Sequence, residues 1–279
     1  MMKQAMDPSG LDRQFAGSIP ELYERYMVPL IFEPYAADLA ARVAQCHPSR
    51  VLEIAAGTGV VTRQLASTLP AGVSIIATDL SPQMLEQAAA VGVRLPVEWR
   101  QADAMQLPFP DETFDVVVCQ FGVMFFPDKS RAYAEARRVL RRGGTFVFNV
   151  WDRIDQNEFT DTVSQALGKL FPDDPPRFME RTPHGYYDCA VIARDLALGG
   201  FDRIPTFETV TARSRADHAR IPAVALCQST PLRSEIEARG ATRLHEATDV
   251  ATAAIERRFG TGPVDGKIQA HVVTAERIR

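Results

Sequence analysis

The feature that most constrains this 279-residue chain is an apolar segment that runs into a glycine turn, Val51–Gly59 (VLEIAAGTG). A strand followed by small residues and then a helix lets a ligand approach the backbone closely. A second apolar segment ends in Asp79, twenty residues after Gly59. A carboxylate at this position typically accepts hydrogen bonds from ribose hydroxyls. The pattern therefore predicts a nucleotide-type cofactor site at the head of a parallel sheet.

The glycine pattern also excludes two common nucleotide sites. A dinucleotide fingerprint requires a third glycine three residues after the second, and that position holds Thr62. The sequence also lacks the Gly-x-x-x-x-Gly-Lys-Ser/Thr pattern of a phosphate-binding loop. A different nucleotide-type cofactor is therefore expected.

The chain resembles the class I S-adenosylmethionine-dependent methyltransferases. Val51–Gly59 resembles their motif I, and later segments resemble further motifs in the expected order: Asp79–Leu85 (DLSPQML), Asp103–Phe109 (DAMQLPF), Phe114–Gln120 (FDVVVCQ) and Arg138–Gly144 (RVLRRGG). The first four of these segments are each weak as a motif, but four in order within about a hundred residues are much more specific than one. The resemblance is closest to the small-molecule branch that includes the ubiquinone/menaquinone C-methyltransferases (methyltransferase type 11). It departs from the usual pattern at Ala55, in place of the first glycine, and at Arg142, in place of a proline.

The predicted fold class is α/β: a Rossmann-like, doubly wound seven-stranded sheet, mostly parallel with an antiparallel edge strand, plus helical cover segments. Strands that alternate with helices favour such a sheet, because right-handed crossovers place helices on both faces. We expect strands near 50–55, 73–78, 97–101, 113–120 and 144–151, and helices near 60–69, 82–91 and 129–141. Further strands are expected near 201–212 and 268–277, as the last two strands of the sheet.

The chain is expected to have three parts. Residues 1–45 form an N-terminal helical arm or lid, loose over 1–18 and with its helix broken at Pro29 and Pro34. Residues 46–152 form the cofactor-binding core. Residues 153–279 combine substrate-cover segments with the last two strands. Long insertions are usually functional, so 153–190 and 213–260 are expected to cover the acceptor pocket.

The carboxyl ends of parallel strands select most of the candidate cofactor residues. The resemblance implies that the glycine turn faces the methionine moiety, that Asp79 binds the ribose and that Asp103 binds the adenine. The candidate set is Tyr23, Glu53, Ala55, Gly57, Gly59, Asp79, Leu80, Met84, Asp103, Ala104, Gln120 and Phe121. The cofactor implied is S-adenosyl-L-methionine, with S-adenosyl-L-homocysteine as product.

A catalytic base is needed only if the acceptor carries a proton that must leave during attack. His184 is the main candidate, because glycine, proline and two tyrosines surround it in a predicted loop. Tyr186, Tyr187, His218 and His245 are further candidates, and a structural or surface role stays open for each of these side chains.

The composition of the chain limits the partners and the cellular location that we expect for it. A net charge of −4 disfavours nucleic acid as a partner. The four cysteines are widely spread without a Cys-x-x-Cys pair, so no metal site is predicted. Met1–Gly10 lacks the apolar stretch of a signal peptide, and no apolar run reaches eighteen residues, which predicts a cytoplasmic protein without a membrane span. A monomer or a homodimer is expected.

The predicted function is transfer of a methyl group from S-adenosylmethionine to a small-molecule acceptor by in-line displacement. Methylation of oxygen or carbon stays open, and methylation of the nitrogen of a small amine is a further option. The alternatives are a non-catalytic or protein-modifying member of the same fold and an NAD-dependent oxidoreductase. The missing third glycine argues against the last of these.

Overall fold

The computed structural model describes residues 17–240 and 242–278. Residues 1–16 of the loose arm predicted for residues 1–18 therefore lie outside the described residues.

A seven-stranded sheet forms the centre of the described chain. Its strands are β1 (Arg50–Ile54), β2 (Ser74–Asp79), β3 (Glu98–Gln101), β4 (Phe114–Gln120), β5 (Leu140–Trp151), β6 (Thr206–Ala216) and β7 (Val264–Glu276), in the spatial order 3-2-1-4-5-7-6. Strands β1 to β5 pair in parallel, and β7 runs antiparallel between β5 and β6. The predicted fold class is confirmed.

Helices cover both faces of this sheet. After an N-terminal helix α1 in three segments, the helices longer than four residues are α2 (Val60–Thr68), α3 (Pro82–Val91), α4 (Lys129–Val139), α5 (Glu158–Leu170), α6 (Cys189–Leu198), α7 (Arg220–Gln228), α8 (Leu232–Ala238) and α9 (Arg243–Phe259). The central strands β1 and β4 are almost completely buried, as is usual for strands covered on both faces. Among the described helices, none has both the length and the apolar composition needed to cross a lipid bilayer.

The N-terminal helix α1 differs from the sequence prediction, because its prolines do not break it. It continues through Ile19–Leu22, a π-helical segment Tyr23–Phe32 and Glu33–Gln45. Pro29 lies inside the π segment, where the N–H of Glu33 bonds to the carbonyl of Val28, five residues back. A proline has no N–H and its ring crowds the preceding turn. We attribute the continuity of the helix to the wider π turn, which accommodates both effects.

The region after β5 builds a helical layer beside the sheet. Helices α7 and α9 pack on each other, and both pack on α5, while α7 also contacts the π segment of α1. The strand predicted at 201–212 begins later, at Thr206, directly after Pro205. The segment between β6 and β7 is helical, as expected, and its helices lie on the same side as α5 and α1.

Candidate functional site

A cleft of about 360 Å³ opens at the carboxyl ends of β1, β2 and β4. This is the edge at which open parallel sheets bind their ligands. Ten of the twelve predicted cofactor residues line it: Tyr23, Ala55, Gly57, Asp79, Leu80, Met84, Asp103, Ala104, Gln120 and Phe121. Glu53 and Gly59 do not line it, although they belong to the same motif.

Gly59 lies at the start of α2 and has a packing role. Its φ of +82° is in the left-handed region that favours glycine, and a Cβ atom there would lie 2.8 Å from a ring carbon of Trp99. The glycine therefore allows the turn and the close approach of Trp99, rather than direct access of a ligand.

Ala55, which departs from the expected motif by replacing its first glycine, also adopts a positive φ, of 53°. Its methyl group occupies space that Gly122 leaves open, since a Cβ atom on Gly122 would lie 2.5 Å from the Cβ of Ala55 and 2.7 Å from the Sγ of Cys119. The alanine is thus accommodated by a glycine on the neighbouring strand end.

Asp79 ties the glycine turn to the start of α3. Its Oδ2 accepts a hydrogen bond from the Gly57 N–H and its Oδ1 accepts one from the Ser81 N–H, each at 2.8 Å. Burial raises the pKa of this carboxyl, and the backbone donors oppose that rise. Each carboxylate oxygen has a further lone pair, so the group can hold the turn and still accept hydrogen bonds from a ligand.

Glu53 lies beneath the glycine turn and is fully buried. The hydroxyl of Thr62 donates to its Oε2 at 2.5 Å. Burial raises the pKa of the Glu53 carboxyl to about 8, against the opposing effect of the Thr62 hydrogen bond. Thr62, which occupies the position of the missing third glycine, is therefore the hydrogen-bond partner of the buried Glu53.

Gln120 ends β4 with an unpaired polar atom. Its Oε1 is buried without a hydrogen-bond partner among the described residues. Its Nε2 makes only a long contact of 3.5 Å to the carbonyl of Phe32. A buried acceptor without a partner is costly, and a ligand donor in the cleft would satisfy it.

An aromatic cluster of Tyr23, Phe32, Tyr35, Phe121 and Trp151 adjoins Gln120. The rings of Phe121 and Trp151 stack in parallel with centroids 3.8 Å apart. Phe121 has a left-handed φ of 48°, which is a genuine outlier for a bulky side chain.

Asn149 on β5 holds that unusual backbone conformation. Its Oδ1 accepts a hydrogen bond of 2.9 Å from the Phe121 N–H. Sequence reasoning did not select Asn149, although a polar residue within the apolar run of β5 was an available signal.

Comparisons with known proteins agree with this geometry. Residues 52–148 match the methyltransferase domain family. The chain is 30% identical over 202 residues to the ubiquinone/menaquinone biosynthesis C-methyltransferase UbiE of Stutzerimonas stutzeri, covering 68% of this chain and 74% of that one. The chain belongs to the S-adenosylmethionine-dependent methyltransferases.

Two further similarities are narrower. The chain is 41% identical over 135 residues to the demethylmenaquinone methyltransferase of Deinococcus radiodurans, covering 47% of this chain and 52% of that one. It spans about half the length of several curated relatives that it matches. The crystal structure of the YcgJ protein from Bacillus subtilis has a TM-score of 0.55 at 19% identity, covering 88% of this chain and 99% of that one. This last likeness concerns the fold.

A second, smaller cavity of about 60 Å³ adjoins the cleft. Tyr23, Phe121 and Phe125 line both spaces. The smaller cavity is otherwise lined mainly by apolar side chains of α1, β5, β7 and the cover segments, including Met27, Ile31, Trp151, Phe178, Met179, Leu226 and Ile268.

His184, the predicted catalytic residue, lines this smaller cavity. The side chain is buried, and its Nδ1 lies 2.8 Å from the carbonyl oxygen of Asp152. Because a carbonyl can only accept, Nδ1 carries the proton and Nε2 is the acceptor nitrogen. Burial lowers the pKa of His184 to about 4, so the imidazole is neutral at neutral pH.

The other candidate bases line neither cavity. The hydroxyl of Tyr186 bonds to Asp195 at 2.9 Å, and His245 pairs with Asp249 on α9. Tyr187 is exposed, and His218 precedes α7 without reaching the cavity. Sequence reasoning missed Thr160, which lines the smaller cavity from α5. A threonine in an amphipathic helix carries no signal of such a position.

Proposed function

We propose that the protein transfers a methyl group from S-adenosylmethionine in the cleft to a small-molecule acceptor in the adjoining cavity. The observation that carries this proposal is the shared wall of Tyr23, Phe121 and Phe125. Because the same side chains line both spaces, a ligand in the cavity lies next to a ligand in the cleft, and alignment of reactants is a large source of rate enhancement.

The residues of the cleft fit the cofactor. Asp79 would accept hydrogen bonds from the ribose hydroxyls with the lone pairs that Gly57 and Ser81 leave free. Leu80, which is 50% exposed at the cleft, and Met84 would pack on the two faces of the adenine.

Further groups would hold the two ends of the cofactor. Asp103, whose Oδ1 already accepts from the Met105 N–H, would bind the adenine amino group, with the Ala104 backbone beside it. The unpaired Oε1 of Gln120 suits the ammonium group of the methionine moiety, and Gly57 gives that moiety close access to the backbone.

When bound, S-adenosylmethionine supplies a methyl group on a positively charged sulfur. The aromatic faces of Tyr23 and Phe121 attract such a cation without a competing hydrogen bond. The buried aromatic cluster also keeps water away, which favours a displacement that disperses charge. His184 would take a proton from an acceptor that must lose one, because its Nε2 is the unprotonated nitrogen.

The acceptor is proposed to be small and at least partly apolar, since most of the cavity wall is apolar. The names of the UbiE and demethylmenaquinone relatives are compatible with an acceptor of quinone type. In-line displacement serves oxygen and carbon nucleophiles alike, so both remain part of the proposal.

Calorimetric titration with S-adenosylhomocysteine tests the cofactor part. We expect micromolar binding, no binding of NADH, and a loss of about 3 kcal/mol or more in Asp79→Ala, because two hydrogen bonds to a charged acceptor disappear. Asp217→Ala is the matched control, since Asp217 is exposed and lines neither cavity. Equal affinity in a folded Asp79→Ala variant would remove the ribose assignment.

Methyl transfer to a panel of metabolites, followed by mass spectrometry, tests the activity itself. Tight binding of S-adenosylhomocysteine without any methylated product across a broad panel would favour the non-catalytic alternative.

A further inference from the structure

We infer that the acceptor is a neutral molecule with one aromatic ring, methylated on a phenolic hydroxyl that His184 and Thr160 hold. This inference rests on the proposed function and specifies its acceptor. Three properties of the smaller cavity carry it: its size, the absence of charge in its described wall, and the two hydrogen-bonding groups that remain free there.

The cavity is too small to enclose a whole aromatic ring, so its size favours the smallest aromatic acceptor. Its volume is about 60 Å³, whereas a dry, apolar cavity of about 150 Å³ is known to bind benzene. One ring can be accommodated only if it extends along the shared wall toward the cleft. A second fused ring would require side chains such as Phe178 and Met179 to move, and overpacking of a closed site is costly.

The described wall of the cavity contains no Asp, Glu, Lys or Arg side chain. A carboxylate or phosphate on the acceptor would therefore be buried without a cation, and an ammonium without a carboxylate. An unpaired charge in an apolar site costs several kcal/mol, so charged acceptors are disfavoured.

Besides Tyr23, the four side chains Asn157, Thr160, His184 and Thr230 offer polar groups at the cavity. Two of these four already have hydrogen-bond partners within the protein. Asn157 donates from Nδ2 to backbone carbonyls and accepts at Oδ1 from the Gln269 N–H. The hydroxyl of Thr230 donates to the Leu226 carbonyl at 2.8 Å. Neither group has a free donor for a ligand.

The other two polar side chains are His184 and Thr160. Within the described residues, neither the Nε2 of His184 nor the hydroxyl of Thr160 makes a hydrogen bond. A phenolic hydroxyl complements this pair, because it can donate to Nε2 and accept from the threonine. An alkyl ring without a hydroxyl would leave both groups unsatisfied.

The reaction balances with these two groups alone. The bond between the sulfonium sulfur and the methyl carbon breaks, a bond between the phenolic oxygen and the methyl carbon forms, and the phenolic proton moves to Nε2. One positive charge is present before and after the step, first on sulfur and then on the imidazolium of His184, which releases its proton to water. A base as weak as buried His184 takes this proton as the oxygen gains the methyl group, rather than before.

Calorimetry on the full chain saturated with S-adenosylhomocysteine tests the acceptor class with four probes. They are p-cresol, 4-hydroxybenzoate with one added carboxylate, tyramine with one added ammonium, and 2-naphthol with a second ring. We expect p-cresol to bind, the two charged probes to bind at least about 100-fold more weakly, and 2-naphthol at least about 10-fold more weakly. With S-adenosylmethionine, mass spectrometry should detect the methyl ether of p-cresol.

Two variants test the hydrogen-bonding pair, with toluene as the ligand that lacks the hydroxyl. Thr160→Val keeps the shape of the side chain, and His184→Phe keeps a planar ring. Each should reduce the preference for p-cresol over toluene by about 10-fold, as expected for one lost hydrogen bond. The affinity for S-adenosylhomocysteine should stay unchanged in both, which also shows that the variants fold.

The outcomes separate this inference from the proposed function. Failure of S-adenosylhomocysteine to bind would overturn the proposed function. Tight binding of that product together with equal or better binding of 4-hydroxybenzoate or tyramine, or with no binding of p-cresol, would overturn the inference alone. An unchanged preference for p-cresol in both variants would also overturn it.

Discussion

The buried acid of the glycine motif makes the stability of the protein depend on pH. Glu53 is almost inaccessible to solvent, and burial raises the pKa of its carboxyl from an ordinary 4.5 to about 8. Below pH 4.5 the carboxyl is protonated in both the folded and the unfolded chain, so its contribution to stability is fully present. As pH rises toward 8, the unfolded chain ionises first, and this contribution is lost.

The size of the effect follows from the same numbers. Each pKa unit corresponds to about 1.4 kcal/mol, so the free energy of unfolding should fall by about 5 kcal/mol between pH 4.5 and 8 through Glu53 alone. Glu53→Gln cannot ionise, and its amide oxygen can still accept the Thr62 hydrogen bond. The variant should therefore match the parent near pH 5 and exceed it by several kcal/mol at pH 8.5.

Urea denaturation of both proteins from pH 5 to 8.5 measures this difference directly. Subtracting the two curves removes the contribution of every other titrating group that the substitution leaves unchanged. Glu86→Gln, on the exposed side of α3, serves as control and should parallel the parent. If the Glu53→Gln curve also parallels the parent, then Glu53 is ionised in the folded chain and the reasoning from burial is wrong.

Three further outcomes are expected. Gly122→Ala should reduce the free energy of unfolding by about 1–3 kcal/mol, and less in an Ala55→Gly background, where the contact with Cys119 remains; equal losses in both backgrounds would refute the steric pairing. Turnover should stay level from about pH 6 to 8 and fall only near the His184 pKa of about 4; a steady-state pH profile with a midpoint near neutrality would contradict this. Leu80→Ser should weaken S-adenosylhomocysteine binding about 10-fold by calorimetry, since apolar contact with the adenine is lost, while the unfolding curve stays unchanged; full affinity would exclude the adenine contact.

The core strands could be predicted closely from the sequence, because apolar runs between turn residues leave few alternatives. Strands β1 and β4 differ from their predicted limits by one residue at one end, and β2 is shifted by one residue at both ends. Local sequence patterns were less informative where tertiary packing decides whether a helix continues or where a strand begins. The proline in α1 indicates a break, but the chain continues as a helix through a π turn, and the strand predicted from Phe201 starts only after Pro205.

The candidate site was predictable where position along a strand fixes position in space. Asp79 and Gln120 end parallel strands, and both line the cleft. Glu53 precedes the end of its strand by one residue, and its side chain is buried under the turn. The smaller cavity was harder to predict, because Thr160 lies on α5 and His184 lies in a loop, and no local sequence pattern encodes how the two segments pack.

The wall formed by Tyr23, Phe121 and Phe125 has a thermodynamic consequence. Because these rings belong to both spaces, a ligand that shifts them on one side changes the shape offered to a ligand on the other side. Linkage requires that each ligand alters the affinity of the other by the same factor. If the cofactor raises the affinity for the acceptor, the acceptor must raise the affinity for the cofactor by the same factor. An acceptor coupled in this way would be detected as a lower Kd for S-adenosylhomocysteine when the acceptor is present.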